Sequence, residues 1–77
     1  MSIRAYILIN TQIGKTQKVV EKLKTIPEIK KLDVIMGPYD IIVEIEVPTY
    51  EDISKLLLDK IQNIPAINHT MTCPVVS

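Results

Sequence analysis

The chain matches itself at an offset of 38 residues, about half its length of 77. Ile26-Pro27-Glu28-Ile29 aligns with Ile64-Pro65-Ala66-Ile67. The same offset pairs Val19 with Leu57, Lys22 with Lys60, Leu23 with Ile61, and Ile3, Ala5, Ile7 and Ile9 with Ile41, Val43, Ile45 and Val47. A stacked helical array needs about three repeats or more before neighbours bury one another's faces. Two copies in so short a chain therefore point to duplication of one supersecondary unit inside a single domain.

Hydrophobic periodicity identifies that unit. Residues 3–10 form an almost continuous isoleucine-rich run, followed by turn-forming residues 11–14, and read as a strand. Over residues 15–26 the positions Val19, Val20, Leu23 and Ile26 fall at helical spacing opposite Lys18 and Glu21, until Pro27 interrupts. Residues 29–36 alternate as a second strand, Gly37-Pro38 breaks it, and residues 40–47 read as a third, so an antiparallel hairpin is the economical connection. Thr49 with Asp52 resembles a capping box and opens a helix whose apolar stripe is Ile53, Leu56, Leu57, Ile61 and Ile64, with Pro65 ending it. Residues 66–73, richer in threonine, form the last strand. The order β-α-β-β-α-β implies the α+β, ferredoxin-like split βαβ fold: a four-stranded antiparallel sheet with two helices on one face. Residues 1–77 are expected to form one domain with no DNA-binding domain attached.

Two helices cover only one face of such a sheet. Period-two alternation puts Ile3, Ala5, Ile7, Ile9, Ile41, Val43, Ile45 and Val47 beneath them. The other face then carries Arg4, Tyr6, Leu8 and Asn10 from the first strand, Asp40, Ile42, Glu44 and Glu46 from the third, and Ile35 from the second. Tyr6, Leu8, Ile35 and Ile42 make an apolar patch rimmed by charge, the pattern of an interaction surface, although single exposed apolar residues are common. Dimerisation through this face is the direct expectation. It agrees with the small size of the chain, which lacks a disulfide and any evident metal to supplement a modest core.

Composition narrows the function. Nine basic and nine acidic side chains cancel, and no run is basic, so direct nucleic-acid binding, which neutralises phosphates with a cationic excess, is not expected. The single cysteine, Cys73, excludes an intrachain disulfide and paired-cysteine metal sites, and suggests a reducing compartment, with the cytoplasm the default. No apolar stretch approaches the length of a membrane span, and Met1-Ser2-Ile3-Arg4 enters the first strand with no secretory pattern. There is no Phe or Trp to stack RNA bases on the open sheet. A metallochaperone would need paired cysteines after the first strand, where Ile13-Gly14 stands, and the only arginine lies within a strand rather than in a phosphate-cradling loop.

The hairpin Gly37-Pro38-Tyr39-Asp40 combines a permissive backbone, a rigid ring, an aromatic hydroxyl and a carboxylate. It suits a small zwitterion: Asp40 can accept from an ammonium group, Gly37 allows close approach, and Tyr39 offers a flat face with one polar atom. The same residues also make a good turn and nothing more. Glu44 and Glu46 share a face with Asp40, and the plainer reading is a solvated or interfacial acidic stripe screened by Arg4 and nearby lysines. His69 and Cys73 are four apart on a strand, about 13 Å, too far to share an ion or to form a nucleophile and base. Met1, Met36 and Met71 read as core or interface filler.

Taken in order, Ala5-Tyr6-Ile7-Leu8-Ile9-Asn10-Thr11, the two Ile-Pro-x-Ile segments and Gly37-Pro38-Tyr39-Asp40-Ile41 resemble the C-terminal effector domain, or RAM domain, of the Lrp/AsnC (feast/famine) transcription regulators. The resemblance covers essentially the whole chain. It implies dimers formed through the sheets, assembly into rings of dimers, and small effectors, commonly amino acids, bound near the hairpin at subunit junctions. On that basis Gly37, Tyr39 and Asp40 are the expected effector-binding residues, Asp40 taking the amino group, and Thr70 and Thr72 are hydroxyl donors from a neighbouring subunit. Because the chain begins at the first strand without a helix-turn-helix, a stand-alone version is expected. It would act as an amino-acid sensor, by co-assembly with full-length regulators, or on another partner. The alternative is a small enzyme of the dimeric α+β barrel type. That would need a His, Asp or Arg in the cavity between sheet and helices, where the inward residues are nearly all aliphatic and only the facing of His69 is open. No cofactor or metal is expected.

Overall fold

The computed structural model describes residues 2–76. Strand β1 (Ile3–Thr11) leads into helix α1 (Thr16–Leu23), strands β2 (Ile29–Val34) and β3 (Ile41–Val47), helix α2 (Tyr50–Leu56), a π-helical turn (Leu57–Ile61) and strand β4 (Ile67–Pro74). The strands form one antiparallel sheet in the order β2-β3-β1-β4, so the duplicated halves interleave and the two central strands are the paired isoleucine-rich runs. This is the ferredoxin-like βαββαβ fold.

In the β1–β3 ladder Ile3, Ala5, Ile7 and Ile9 lie opposite Val47, Ile45, Val43 and Ile41. All but Ile3 are buried, and with Val19, Val20, Leu23, Ile53, Leu56 and Ile61 from the helices they make the core. The buried lining beneath the helices is aliphatic; among the described residues Thr11 is the only buried polar one. Among the described residues no His, Asp, Glu or Arg is buried in that layer, and the register sets His69 opposite Asn10, on the other face. His69 therefore does not supply the cavity group that a barrel-type enzyme would need.

Several boundaries differ from the sequence expectation, each for a local reason. Helix α1 ends at Leu23, three residues before Ile26, which stays buried beneath a turn closed by its own N–H donating to the Leu23 carbonyl at 3.0 Å. In β2 the register slips between Ile29 and Lys31, a bulge that lets both Ile29 and Leu32 pack on the core although they are three apart. The second helix opens with the expected capping box, Thr49 and Asp52 each serving the other's backbone N–H. It then widens, Gln62 N–H donating to the Leu57 carbonyl five residues back at 2.8 Å. Continued α geometry would turn Lys60 inward, four residues after buried Leu56. The wider turn places Ile61 there instead, fully buried.

Candidate functional site

Between β2 and β3 the chain reverses over residues 35–40. Ile35 N–H donates to the Asp40 carbonyl at 2.9 Å, and Asp40 N–H donates to the Ile9 carbonyl at 3.0 Å, which ties the end of the connection to the central strand. Gly37 sits at φ +152°, a conformation L side chains rarely adopt, so glycine is required by the backbone even though the space around it is open.

The two candidate side chains of this connection diverge. Asp40 does not stand with Glu44 over the open face as the alternation predicts; its carboxylate turns toward the start of α1. There Oδ2 accepts from the Thr11 N–H at 2.8 Å and from the Thr11 hydroxyl at 3.3 Å. The Thr11 hydroxyl also lies 2.7 Å from that of Thr16, the first residue of α1. The physical reason is that β1 runs two residues past its ladder with β3. Thr11 thus presents a buried amide with no strand partner on that side, and the nearest carboxylate fills the vacancy. Both bonds end on Oδ2, leaving Oδ1 able to accept from another donor. A shallow groove of about 360 Å³ opens beside it, lined by Gly14, Thr16, Gln17, Val34, Ile35 and Asp40.

Tyr39 turns the other way, across the open face to the edge strand. Its ring stacks on His69 with centroids 6.2 Å apart and planes inclined by 25°, and its hydroxyl donates to Met71 Sδ at 3.9 Å. Thr70 and Thr72 pair with Ile9 and Ile7, so they lie on the helix side of β4, and within one chain the fold does not bring them to Tyr39. Reading the sequence missed Thr11 and Thr16. The available signal was a threonine ending an otherwise apolar run, one turn ahead of a helix that has no side-chain cap of its own.

On the open face Ile42, Leu8 and Met71 stand abreast across β3, β1 and β4. Tyr6, Leu8, Ile35 and Ile42 are each half-buried in the single chain, and Met71 extends the patch beyond the expected four. The acidic rim is partly neutralised: Arg4 Nε lies 3.4 Å from Glu44, its guanidinium donates to the Tyr6 hydroxyl at 3.3 Å, and the Ser2 hydroxyl donates to Glu46. Among the described residues no three His, Cys, Asp or Glu side chains come together as a metal site, and no helix is long and apolar enough to cross a membrane.

Comparison with known proteins agrees with this architecture. The sequence profile of the Lrp/AsnC ligand binding domain matches residues 4–77. An uncharacterised HTH-type transcriptional regulator of Pyrococcus abyssi is 31% identical over 73 residues, covering 95% of this chain and 46% of that protein. The chain thus spans about half the length of the curated relatives it matches. The crystal structure of FFRP-DM1 is 38% identical, with a TM-score of 0.91, and the match covers 96% of this chain and 99% of that one. A transcriptional regulator from Neisseria meningitidis, solved as a complex with L-Met, has the same fold at 15% identity, with a TM-score of 0.83 over 97% of this chain and 50% of that one. These ligand-binding domains belong to transcription regulators rather than to enzymes. With the interleaved duplication, the anchored Gly-Pro-Tyr-Asp connection and a profile match over nearly its full length, this chain belongs to the Lrp/AsnC ligand-binding domain family.

Proposed function

We propose that the protein is an amino-acid-sensing and oligomerisation module that binds a small amino-acid effector beside the β2–β3 connection. The observation that carries this is the state of Asp40. One carboxylate oxygen is committed to Thr11, which fixes the group in place, and the other remains able to accept, next to a groove of amino-acid size. A held carboxylate loses little rotamer freedom on binding, so an ammonium group gains a charge-assisted hydrogen bond at low entropic cost. Gly37 leaves the turn free of a Cβ, while Tyr39 lies across the open face on His69 rather than over the groove. The L-Met complex of the Neisseria regulator supports an amino acid as the class of ligand.

The sheets pair through Tyr6, Leu8, Ile35 and Ile42 in a homodimer, and dimers associate into a ring in which Thr70 and Thr72 of a neighbouring subunit approach the hairpin. Effector bound at such a junction favours one quaternary arrangement by its differential affinity. Modulation of transcription then runs through co-assembly with full-length regulators of the family.

Thermal denaturation of the protein against each of the twenty amino acids at millimolar concentration tests the reading. A ligand at a hundred times its Kd adds about 2.7 kcal/mol, a rise of about 10–20 °C for a domain of this size. A selective rise that Asp40→Asn abolishes is expected. No rise with any amino acid would remove the sensing role and leave a bare assembly domain.

A further inference from the structure

Strand β2 lies at an edge of the sheet, and its exposed positions Lys30, Lys31 and Asp33 carry the charges that discourage an edge from pairing with another chain. Val34 is the exception. It pairs with the fully buried Ile41 of β3, yet 58% of its own surface is open. The space before it is the groove beside Asp40, whose lining Val34 shares with Ile35, Gly14, Thr16 and Gln17. The strand itself does not demand valine there. One repeat of 38 residues on, the equivalent position on β4 is Thr72, the same shape with a hydroxyl in place of a methyl.

The lining discriminates between side chains of an effector. Asp40 is its only charged residue, and Val34 and Ile35 are its only aliphatic ones. Ile35 also belongs to the open face, so the apolar wall particular to the groove is Val34. With Asp40 Oδ1 accepting the α-ammonium group, an acidic side chain would share the groove with the Asp40 carboxylate and find no cation in the lining to offset it. A second ammonium group would find no second carboxylate. A short aliphatic chain instead covers Val34 and removes apolar surface of both from water, and each fully buried methylene tightens binding about fourfold. No aromatic residue lines the groove, because Tyr39 lies on His69 across the open face, so a ring on the effector gains no stacking partner.

We infer that the effector is an amino acid with a short aliphatic side chain and that Val34 is the residue that selects it; the inference rests on the role of Asp40 proposed above. The test is isothermal titration calorimetry of the intact chain with L-alanine, L-2-aminobutyrate, L-norvaline and L-leucine, and with L-asparagine, L-glutamate and L-lysine. Affinity is expected to rise about two- to fourfold with each added carbon of the aliphatic series, the lower figure reflecting partial burial in a shallow groove. Leucine should bind at least about tenfold tighter than asparagine, which has nearly its shape. Val34→Thr keeps the shape and a side chain suited to a strand. It should weaken leucine about fivefold, because a hydroxyl then meets the methyl groups of the ligand, and should change alanine less than twofold. The mass of the variant in solution is measured alongside, so that altered assembly is not mistaken for altered selectivity. Asparagine, glutamate or lysine binding as tightly as leucine overturns the aliphatic assignment while leaving the sensing role standing. Undiminished preference for leucine in Val34→Thr overturns the part given to Val34. Heat from none of the seven, together with no thermal shift from any of the twenty, removes the sensing role and this inference with it.

Discussion

Replacing Asp40 separates its two tasks. In Asp40→Ala the buried Thr11 amide loses its acceptor, and the Thr11 hydroxyl keeps only Thr16. Hydrogen bonds to charged groups contribute about 1.5–3 kcal/mol, and because Asp40 is half-buried the loss should fall near the lower end, about 2 kcal/mol. For a domain of 60–100 residues that is a fall in Tm of about 8–16 °C. Asp40→Asn keeps a carbonyl oxygen facing the Thr11 N–H and loses only the charge, so it should stay within about 1 kcal/mol of the parent. Urea and thermal denaturation followed by circular dichroism give both numbers. Protein concentration must be matched, because association makes Tm concentration-dependent. Hydrogen exchange at the Thr11 amide reports the cause directly: protection should collapse in the alanine variant and persist in the asparagine variant. An alanine variant within about 0.5 kcal/mol of the parent, with Thr11 still protected, would refute the anchoring role. Asp40→Asn is consequently the right variant for effector binding, since any response it loses cannot be charged to a loosened hairpin.

Three further outcomes follow from the packing. Leu8→Asp places a charge at the centre of the Ile42–Leu8–Met71 row and should reduce the molecular mass measured by light scattering to that of the monomer; an unaltered mass would sink the sheet-face dimer. Ala66 holds φ +76°, a left-handed conformation costing an alanine about 1–2 kcal/mol, so Ala66→Gly should stabilise the fold by up to about 1 kcal/mol after the added freedom of the unfolded chain is deducted; destabilisation would mean that its Cβ packing outweighs the strain. Glu28 accepts two 3.1 Å hydrogen bonds from Lys60 Nζ, which, with a contribution from its own backbone, hold its carboxyl below the ordinary glutamate value. A depressed carboxylate pKa stabilises above the unfolded value and is lost as pH falls through the folded one, so the advantage of the parent over Lys60→Met in urea should fade on acidification, and a pH-independent difference would exclude the ion pair as its source.

Most of the architecture was legible because one physical signal recurs twice. Alternating aliphatic residues in residues 3–9 and 41–47 can be buried together only if the two runs pair at the centre of a sheet, which sets the order of the remaining elements. What escaped was geometry decided by a single residue. The π turn is invisible to a stripe read at 3.6 residues, since both Leu57 and Leu58 are apolar and only the competition between Lys60 and Ile61 for one inward position decides it. The bulge near Lys30 is likewise a tertiary choice, made so that Ile29 and Leu32 share the core. At the site, Asp40 was legible as a carboxylate in a turn, but its orientation was not. Parity places a side chain above or below a sheet, and at the last residue before a strand a stronger demand, the orphaned amide of Thr11, overrides it.

That override bears on why the joint between the two halves suits a binding role. The duplication supplies two equivalent βαβ units, and every strand and helix within them is committed to the shared core. The connection over residues 35–40 joins the units and contributes nothing to that core: Met36, Gly37 and Pro38 are exposed, and one period on the corresponding residues are Pro74, Val75 and Val76, with no glycine. A segment free of packing duties is usually mobile and makes a poor site. Here the backbone bonds to Ile35 and Ile9 and the carboxylate bond to Thr11 pin its far end at three points while Gly37 keeps its tip open. The segment therefore has an anchored acceptor beside a free approach, and the bond to Thr11, shared with Thr16, links that acceptor to the first residue of α1. A ligand that binds Asp40 engages a group joined through Thr11 and Thr16 to β1 and α1 and lying at the start of β3. If sensing is to move the sheet that forms the dimer, Asp40 is where the fold provides the coupling, and hydrogen exchange at Thr11 and Thr16 on adding the effector should change together or not at all.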